Sequence, residues 1–353
     1  EEELLALAAG LRDAGAGVFQ CNPVIEADAR DELSLFERIS EASGRPLNFS
    51  LTWTPMKPEN WDAYVAALKD YAERGVAIRG QFIPRPIGML FGLDLSFHTF
   101  SLNPSYRPIQ HLPLAEKIAA MHDPGLRARL IAEEPEDPNP GFVAIARMAS
   151  NFVPLGDPVD YHATGEMTAA TAARLGLPER EGIYDELLKD DGRALLWWPA
   201  TMIPDYLEKT VPLFDIANAV IALGDGGAHY GLLCDASYPS YMLKQRLGRD
   251  GLDLPRLVRL LSSAPAATLG LCDRGVIARG YKADLNVIDL DHLELRRPRT
   301  RTDLPAGGKR LEQAAKGYDA TIVGGVVTYR DGAATGALPG RLVRGAQPTP
   351  LPA

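Results

Sequence analysis

Three helix-to-strand alternations fill the first 84 residues, and they constrain this chain more than any other feature. A helical period over 1–14 runs into "GVFQCNP" (17–23), one over 29–43 ended by Gly44 runs into "PLNFSLTW" (46–53), and one over 58–74 ended by Gly75 runs into "VAIRGQFIP" (76–84). The repeat length is about thirty residues, that of a helix-plus-strand unit in an α/β barrel or a doubly wound sheet. The strands are short and rich in β-branched and aromatic residues, as buried parallel strands are. The fold class predicted is therefore α/β.

Between about 85 and 200 the rhythm loosens. Helical pieces at 113–134 and 166–189 flank the turn-rich "EEPEDPNPG" (133–141), so this region reads as an insertion or lid lying over the strand ends. The alternation resumes with a helix near 204–210, the apolar run "NAVIAL" (218–223) and a helix at 254–269. After about 273 the texture becomes all-β: "GVIARGYKADLNVIDL" reads as two short segments joined by Gly280, and "YDATIVGGVVTYRDGAATG" carries hairpin signals at Gly324-Gly325 and Asp331-Gly332. The closing "PTPLPA" reads as a tail. The organisation expected is a body at 1–274 containing the insertion, an annex at 275–346 and a tail at 347–353.

Composition excludes several classes of partner. A net charge of −9 argues against a surface for nucleic acid, whose binding needs clustered lysine and arginine. The local cluster "ELRRPRTRT" (294–302) is broken by proline and followed by Asp303, which suits a solvated loop. No apolar run approaches the roughly 18 residues that cross a bilayer, and no secretory leader is visible. Cys21, Cys234 and Cys272 are few, odd in number and far apart, a pattern that fits a reducing, cytoplasmic setting.

The stretch "LGDGGAHYGLLCDAS" (223–237) follows "NAVIAL" at the strand's C-terminal end, where parallel α/β sheets carry their chemistry. Asp225, flanked by glycines that allow close approach, is placed to hold a metal ion, to take a proton from metal-bound water, or to cap the next helix. Cys234 reads as a small buried hydrophobe. Arg85, in "PRP" just past a predicted strand, has the two-pronged guanidinium that grips a carboxylate, in a substrate or in a structural salt bridge.

Motifs across most of the chain resemble the amidohydrolase superfamily, and its N-acyl-D-amino-acid deacylase branch in particular. They are "QFIPRPIGMLFGLDLSFHTFSLNPSYR" (81–107), "GDGGAHYGLLCDASYPSYML", "LSSAPAATLGLCDRGVIARGYKADLNVIDLD" and "TDLPAGGKRLEQAAKGYDATIVGGVVTYRDGAATGALPGRLVRG". The resemblance implies a distorted (β/α)8 barrel, partial in this chain, with one or two divalent ions, usually zinc, at the strand C-termini, and a small β-sandwich annex matched by 275–346. It assigns Asp225 to the acid that shuttles a proton from attacking water to the leaving amine beside the metal. His229 shares the motif and is a candidate substrate contact. The chain opens inside a helical period at a point that matches the interior of the barrel, so an N-terminal portion is expected as a separate or missing segment.

The departures from that family are equally specific. No His-X-His pair occurs, and the strands "GVFQCNP", "NFSLTW" and "IRGQFIP" contain no histidine; His98, His111, His122, His162, His229 and His292 fall mainly in predicted loops and helix edges. This chain alone is not expected to assemble the usual zinc site. Gln81 lies where a ligand would be, and an amide is a poor zinc ligand that prefers a hydrogen bond to substrate. Three functions follow: deacylation of an N-acyl amino acid by metal-activated water, hydrolysis of another C–N bond such as a cyclic amide or carbamate, or a non-catalytic binding or scaffold subunit. A small-molecule substrate is common to the first two.

Overall fold

Asp28 opens the second helix by accepting a hydrogen bond from Arg30 N at 2.8 Å, and Gly44, at φ 59°, closes it in the left-handed conformation that glycine adopts without strain. The structure is a computed structural model and describes residues 1–54, 57–147, 152–161, 166–199, 203–222, 224 and 229–351. Helices α1 (Glu2–Ala14), α2 (Ala29–Ser43) and α3 (Pro58–Arg74) alternate with strands β1 (Phe19–Cys21), β2 (Leu47–Ser50) and β3 (Ile78–Phe82). Asn60 ties α2 to α3: its Oδ1 accepts from Ala29 N at 3.1 Å and its amide donates to Ala27 O at 2.9 Å.

The predicted insertion is a folded unit with its own strands and core. Strands β4 (Gly88–Phe91), β5 (Val153–Pro154) and β6 (Leu196–Pro199) form an antiparallel sheet in the order β4-β6-β5. Helices α4 (Leu114–Met121) and α5 (Pro124–Ala132), and further helices at Thr168–Arg174 and Glu179–Leu187, pack around Phe91, Phe100, Met121, Leu130, Tyr184 and Leu196. Strand β7 (Ala219–Ile221) then returns to the first sheet, whose order is β1-β2-β3-β7 with every pairing parallel.

That sheet has two unlike faces. Phe49 of β2 stacks on Phe36 of α2, with ring centroids 5.1 Å apart, and meets Tyr64 of α3. A Cβ on Gly80 would sit 2.8 Å from Leu68 of α3, so glycine is what lets the helix lie this close. Burying a side chain such as Phe49 contributes about 1.5–3 kcal/mol. Alternation along each strand sends the intervening residues to the opposite face, and the register aligns them as Gln20–Asn48–Arg79 and Ser50–Gln81–Val220. Five of these six are polar, unlike the apolar pattern of a parallel sheet covered on both faces.

The expected barrel is not closed by the described strands: β1 and β7 are the outer strands of a four-stranded sheet. The C-terminal region is β-rich as expected, with one four-stranded antiparallel sheet (Leu285–Ile288, Tyr318–Val323, Val326–Arg330, Ala333–Ala334) and two short two-stranded ladders. A sandwich of two full sheets is not formed by the described residues. Both predicted two-residue hairpins form, Val323 pairing with Val326 and Arg330 with Ala333. The segment before Gly280 forms no strand, because Val276 and Ile277 are exposed and find no partner strand. Leu293, Leu295 and Leu311 pack into the main core with the first sheet's helices.

Candidate active site

Of the residues expected to act, Gln81 stands on the sheet's polar face, Arg85 just beyond the end of β3, and His229 on the loop after β7. Asp225 lies outside the described residues, as does His162. Gln81 is 9% exposed and its backbone holds the sheet, Leu51 N donating to its carbonyl at 2.7 Å. Beside it on β2, the Ser50 hydroxyl donates to Asn22 Oδ1. Asn22, Ser50, Thr52 and Lys57 border a cleft of about 340 Å³ at the C-terminal ends of β1 and β2.

Arg85 takes the structural alternative. Its Nη2 lies 3.2 Å from Asp235 Oδ1, its Nη1 donates to Ser237 Oγ at 3.1 Å and to Cys234 O at 3.3 Å, and its guanidinium carbon sits 3.9 Å from the centre of the Tyr161 ring. With both sides of the fork turned inward and the side chain 2% exposed, the group grips the protein's own loop after β7 and not a ligand. The second acid of "GDGGAHYGLLCDAS" is thus the partner of Arg85, a role the local spacing did not signal.

Arg79 is the residue that sequence reasoning missed. It is half-buried in the row Gln20–Asn48–Arg79, and no ion pair or hydrogen bond from its side chain is found among the described residues. Burial holds its pKa below the ordinary arginine range, although a guanidinium stays charged. An arginine amid strand residues, on a face shared with amides, was the available signal.

His229 is exposed and adopts φ 51°, and its carbonyl accepts from Leu232 N and Leu233 N at 2.7 and 2.8 Å, so its backbone makes the turn that carries the loop away from the sheet. Two residues on, a Cβ on Gly231 would lie 1.9 Å from Ser96 Oγ, so the loop abuts the insertion. Cys234 is half-buried, less covered than the small buried hydrophobe expected of it. Burial is the main reason its thiol is pushed up to about 11, which leaves it protonated at neutral pH.

The metal expected from the resemblance finds no donor set here. Among the described residues no group of three or more histidine, cysteine, aspartate or glutamate side chains converges. Asn48 Oδ1 is a buried oxygen with no hydrogen-bond partner among the described residues, but its register neighbour is Arg79, whose positive charge opposes a cation. Amides, a hydroxyl and a guanidinium suit hydrogen bonding to an anionic or amide-bearing molecule. No described helix is long and apolar enough to cross a membrane.

A structure of D-aminoacylase described as defining a novel subset of amidohydrolases aligns with 95% of this chain and 57% of its own at 16% identity, with a TM-score of 0.49. A second, from work on the role of the binuclear metal centre in D-aminoacylase, gives 0.50 at the same identity and coverage. A D-hydantoinase structure aligns at 14% identity over 95% of this chain and 69% of that one, with a TM-score of 0.33. The chain thus spans 57% of the length of the D-aminoacylases it matches, and at such identity the 0.50 likeness concerns fold alone. No curated protein matches the chain. The model of the Amidohydrolase family matches residues 1–329, through the parallel sheet, the insertion and most of the C-terminal strands, and the chain belongs to that family.

Proposed function

We propose that this chain carries the substrate-facing part of an amide hydrolase that deacylates N-acyl amino acids, D-amino acids foremost. The observation behind the reading is the polar face of the parallel sheet, in a chain of the amidohydrolase family. Arg79 pairs with the substrate carboxylate, Gln81 hydrogen-bonds the amide, and His229 contacts substrate from the loop. The Asp225 carboxylate accepts the proton of the attacking water and returns it to the nitrogen of the leaving amine, so that the C–N bond breaks to give an acid and a free amine. A divalent ion, zinc in this reading, takes its ligands from outside the described residues, most of them from an N-terminal segment. Residues 1–274 form the barrel-type body with 85–200 as its lid, and 275–346 form the annex. A cytoplasmic setting is supported by three cysteines that form no disulfide.

A non-catalytic binding subunit is the second reading, favoured by the absence of metal donors from Gln20, Asn48, Ser50, Arg79 and Gln81. The test is elemental mass spectrometry of the protein with every polypeptide that accompanies it, joined to a panel of N-acetyl-D- and L-amino acids, hydantoins and carbamates. Metal with turnover of the N-acyl amino acids supports the deacylase, and turnover of the hydantoins or carbamates alone moves the substrate to another C–N bond. Saturable binding without turnover supports the binding subunit. Neither binding nor turnover overturns both.

A further inference from the structure

Between the insertion and the hairpin of Arg299–Leu304 and Gly308–Glu312 lies a cleft of about 340 Å³ that includes no residue of the sheet's polar face. Its most unusual wall residue is Lys117, on α4, which is only 9% exposed. The ammonium donates to Leu93 O at 3.5 Å, the outer limit of such a bond, and stands 5.6 Å from the centre of the Tyr106 ring. Among the described residues no carboxylate lies within 4.0 Å of it. Asp94, the one acid lining the cleft, is held by Lys309 at 2.6 Å and by the Thr300 hydroxyl. Arg310 also lines the cleft, and it closes on Asp303 through two bonds of 2.8 Å.

Lys117 therefore has three donors and one weak acceptor, in a wall where three cations face one carboxylate. A buried cation with no carboxylate in contact is costly: desolvation, followed by repulsion from Lys309, pulls the Lys117 amine below the usual lysine range, and the attraction of Asp94 offsets this only in part. A second feature meets the same cleft. Helix α4 starts at Leu114 behind Pro113, with no side chain capping its first turn, so its N–H groups present partial positive charge beside Lys117; Glu116 is the one acid in that turn.

We propose that this cleft binds a small oxyanion, a carboxylate or a phosphate, held by Lys117 and the start of α4. The occupant supplies the acceptors that Lys117 lacks. Gly231 lines the same cleft, so the occupant also touches the loop that follows Asp225.

The test does not depend on catalysis. Acetate, succinate and inorganic phosphate are titrated calorimetrically into the whole chain at constant ionic strength, with chloride as reference, and the Lys117 Nζ resonance is followed in parallel. Saturable binding that moves this resonance is expected, and Lys117→Met weakens it about tenfold or more, the usual worth of a hydrogen bond to a charged group. Saturation by the carboxylates or by phosphate names the class. Binding no different from chloride, or an unmoved Lys117 resonance in the unaltered protein, overturns the proposal even if the variant does not fold.

Discussion

Arg85 and Asp235 meet 3.2 Å apart with their side chains only 2% and 3% exposed, joining the residue just past β3 to the loop beyond β7. Removing one member of such a pair leaves a buried charge uncompensated, at a cost of about 3–5 kcal/mol. Arg85→Met and Asp235→Ala should each lower the urea midpoint accordingly, and the double variant should lose less than the sum. An Arg85→Met protein with unaltered unfolding would remove the structural role.

Arg79 should behave oppositely. Arg79→Met is expected to leave unfolding within about 0.5 kcal/mol of the parent while weakening binding of N-acyl amino acids roughly ten- to hundredfold, as the loss of a charge-assisted contact does. Calorimetry against an acylated amino acid and its carboxamide checks this. Equal losses for both ligands would show that Arg79 does not read the carboxylate.

Asp225→Asn should reduce turnover by about 10²–10⁴, the usual share of a positioned acid-base group, and leave the circular dichroism spectrum and melting temperature nearly intact. The measurement is kcat on the best substrate of the panel. A variant that keeps its rate would dismiss the proton shuttle.

His98 sets a pH dependence of stability. Burial, helped by Lys117, lowers its pKa from 6.5 to about 3, so the folded protein keeps it neutral where the unfolded chain is protonated. The unfolded state then binds more protons between these values, and stability falls as pH falls from about 6.5 toward 3. Between pH 6.5 and 5 the loss is about 2 kcal/mol. Urea unfolding at these two pH values should show it, and His98→Phe should flatten that part of the profile.

Gly88 is where the insertion's sheet admits no side chain: a Cβ would come within 2.2 Å of Trp197 Nε1 and 2.4 Å of Trp198 O. Because one obstacle is backbone, Gly88→Ala must part β4 from β6, costing about 1–3 kcal/mol by the scale of overpacked cores. Faster amide exchange at Leu196, Trp197 and Trp198 would report the parting. Unchanged exchange there would contradict the packing described.

The local signals and the long-range contacts differ in how legible they were. Helices α2 and α3 could be read to the residue, because Gly44, Pro58 and Gly75 act on their own neighbours. The strands were read too long, since pairing trims a run such as "VAIRGQFIP" to the residues that find partners. Strands β4 and β6 were hidden because about a hundred residues separate them and prolines interrupt the run between. A longer separation concealed the buried ion pair: Asp235 is 150 positions from Arg85, and nothing near either residue announces the pair. The spacing of "GDGGAH" drew attention to Asp225, while Arg79 looked like an ordinary strand residue.

The two-faced sheet has a consequence for how such a protein changes over generations. Phe49 and Gly80 are answerable to helices α2 and α3, so selection for folding acts on them. Gln20 and Arg79 look away from those helices, and under the function proposed above substitutions there meet selection mainly through what the protein recognises. A lineage can therefore trade one chemistry for another along that row while its scaffold is inherited nearly unchanged.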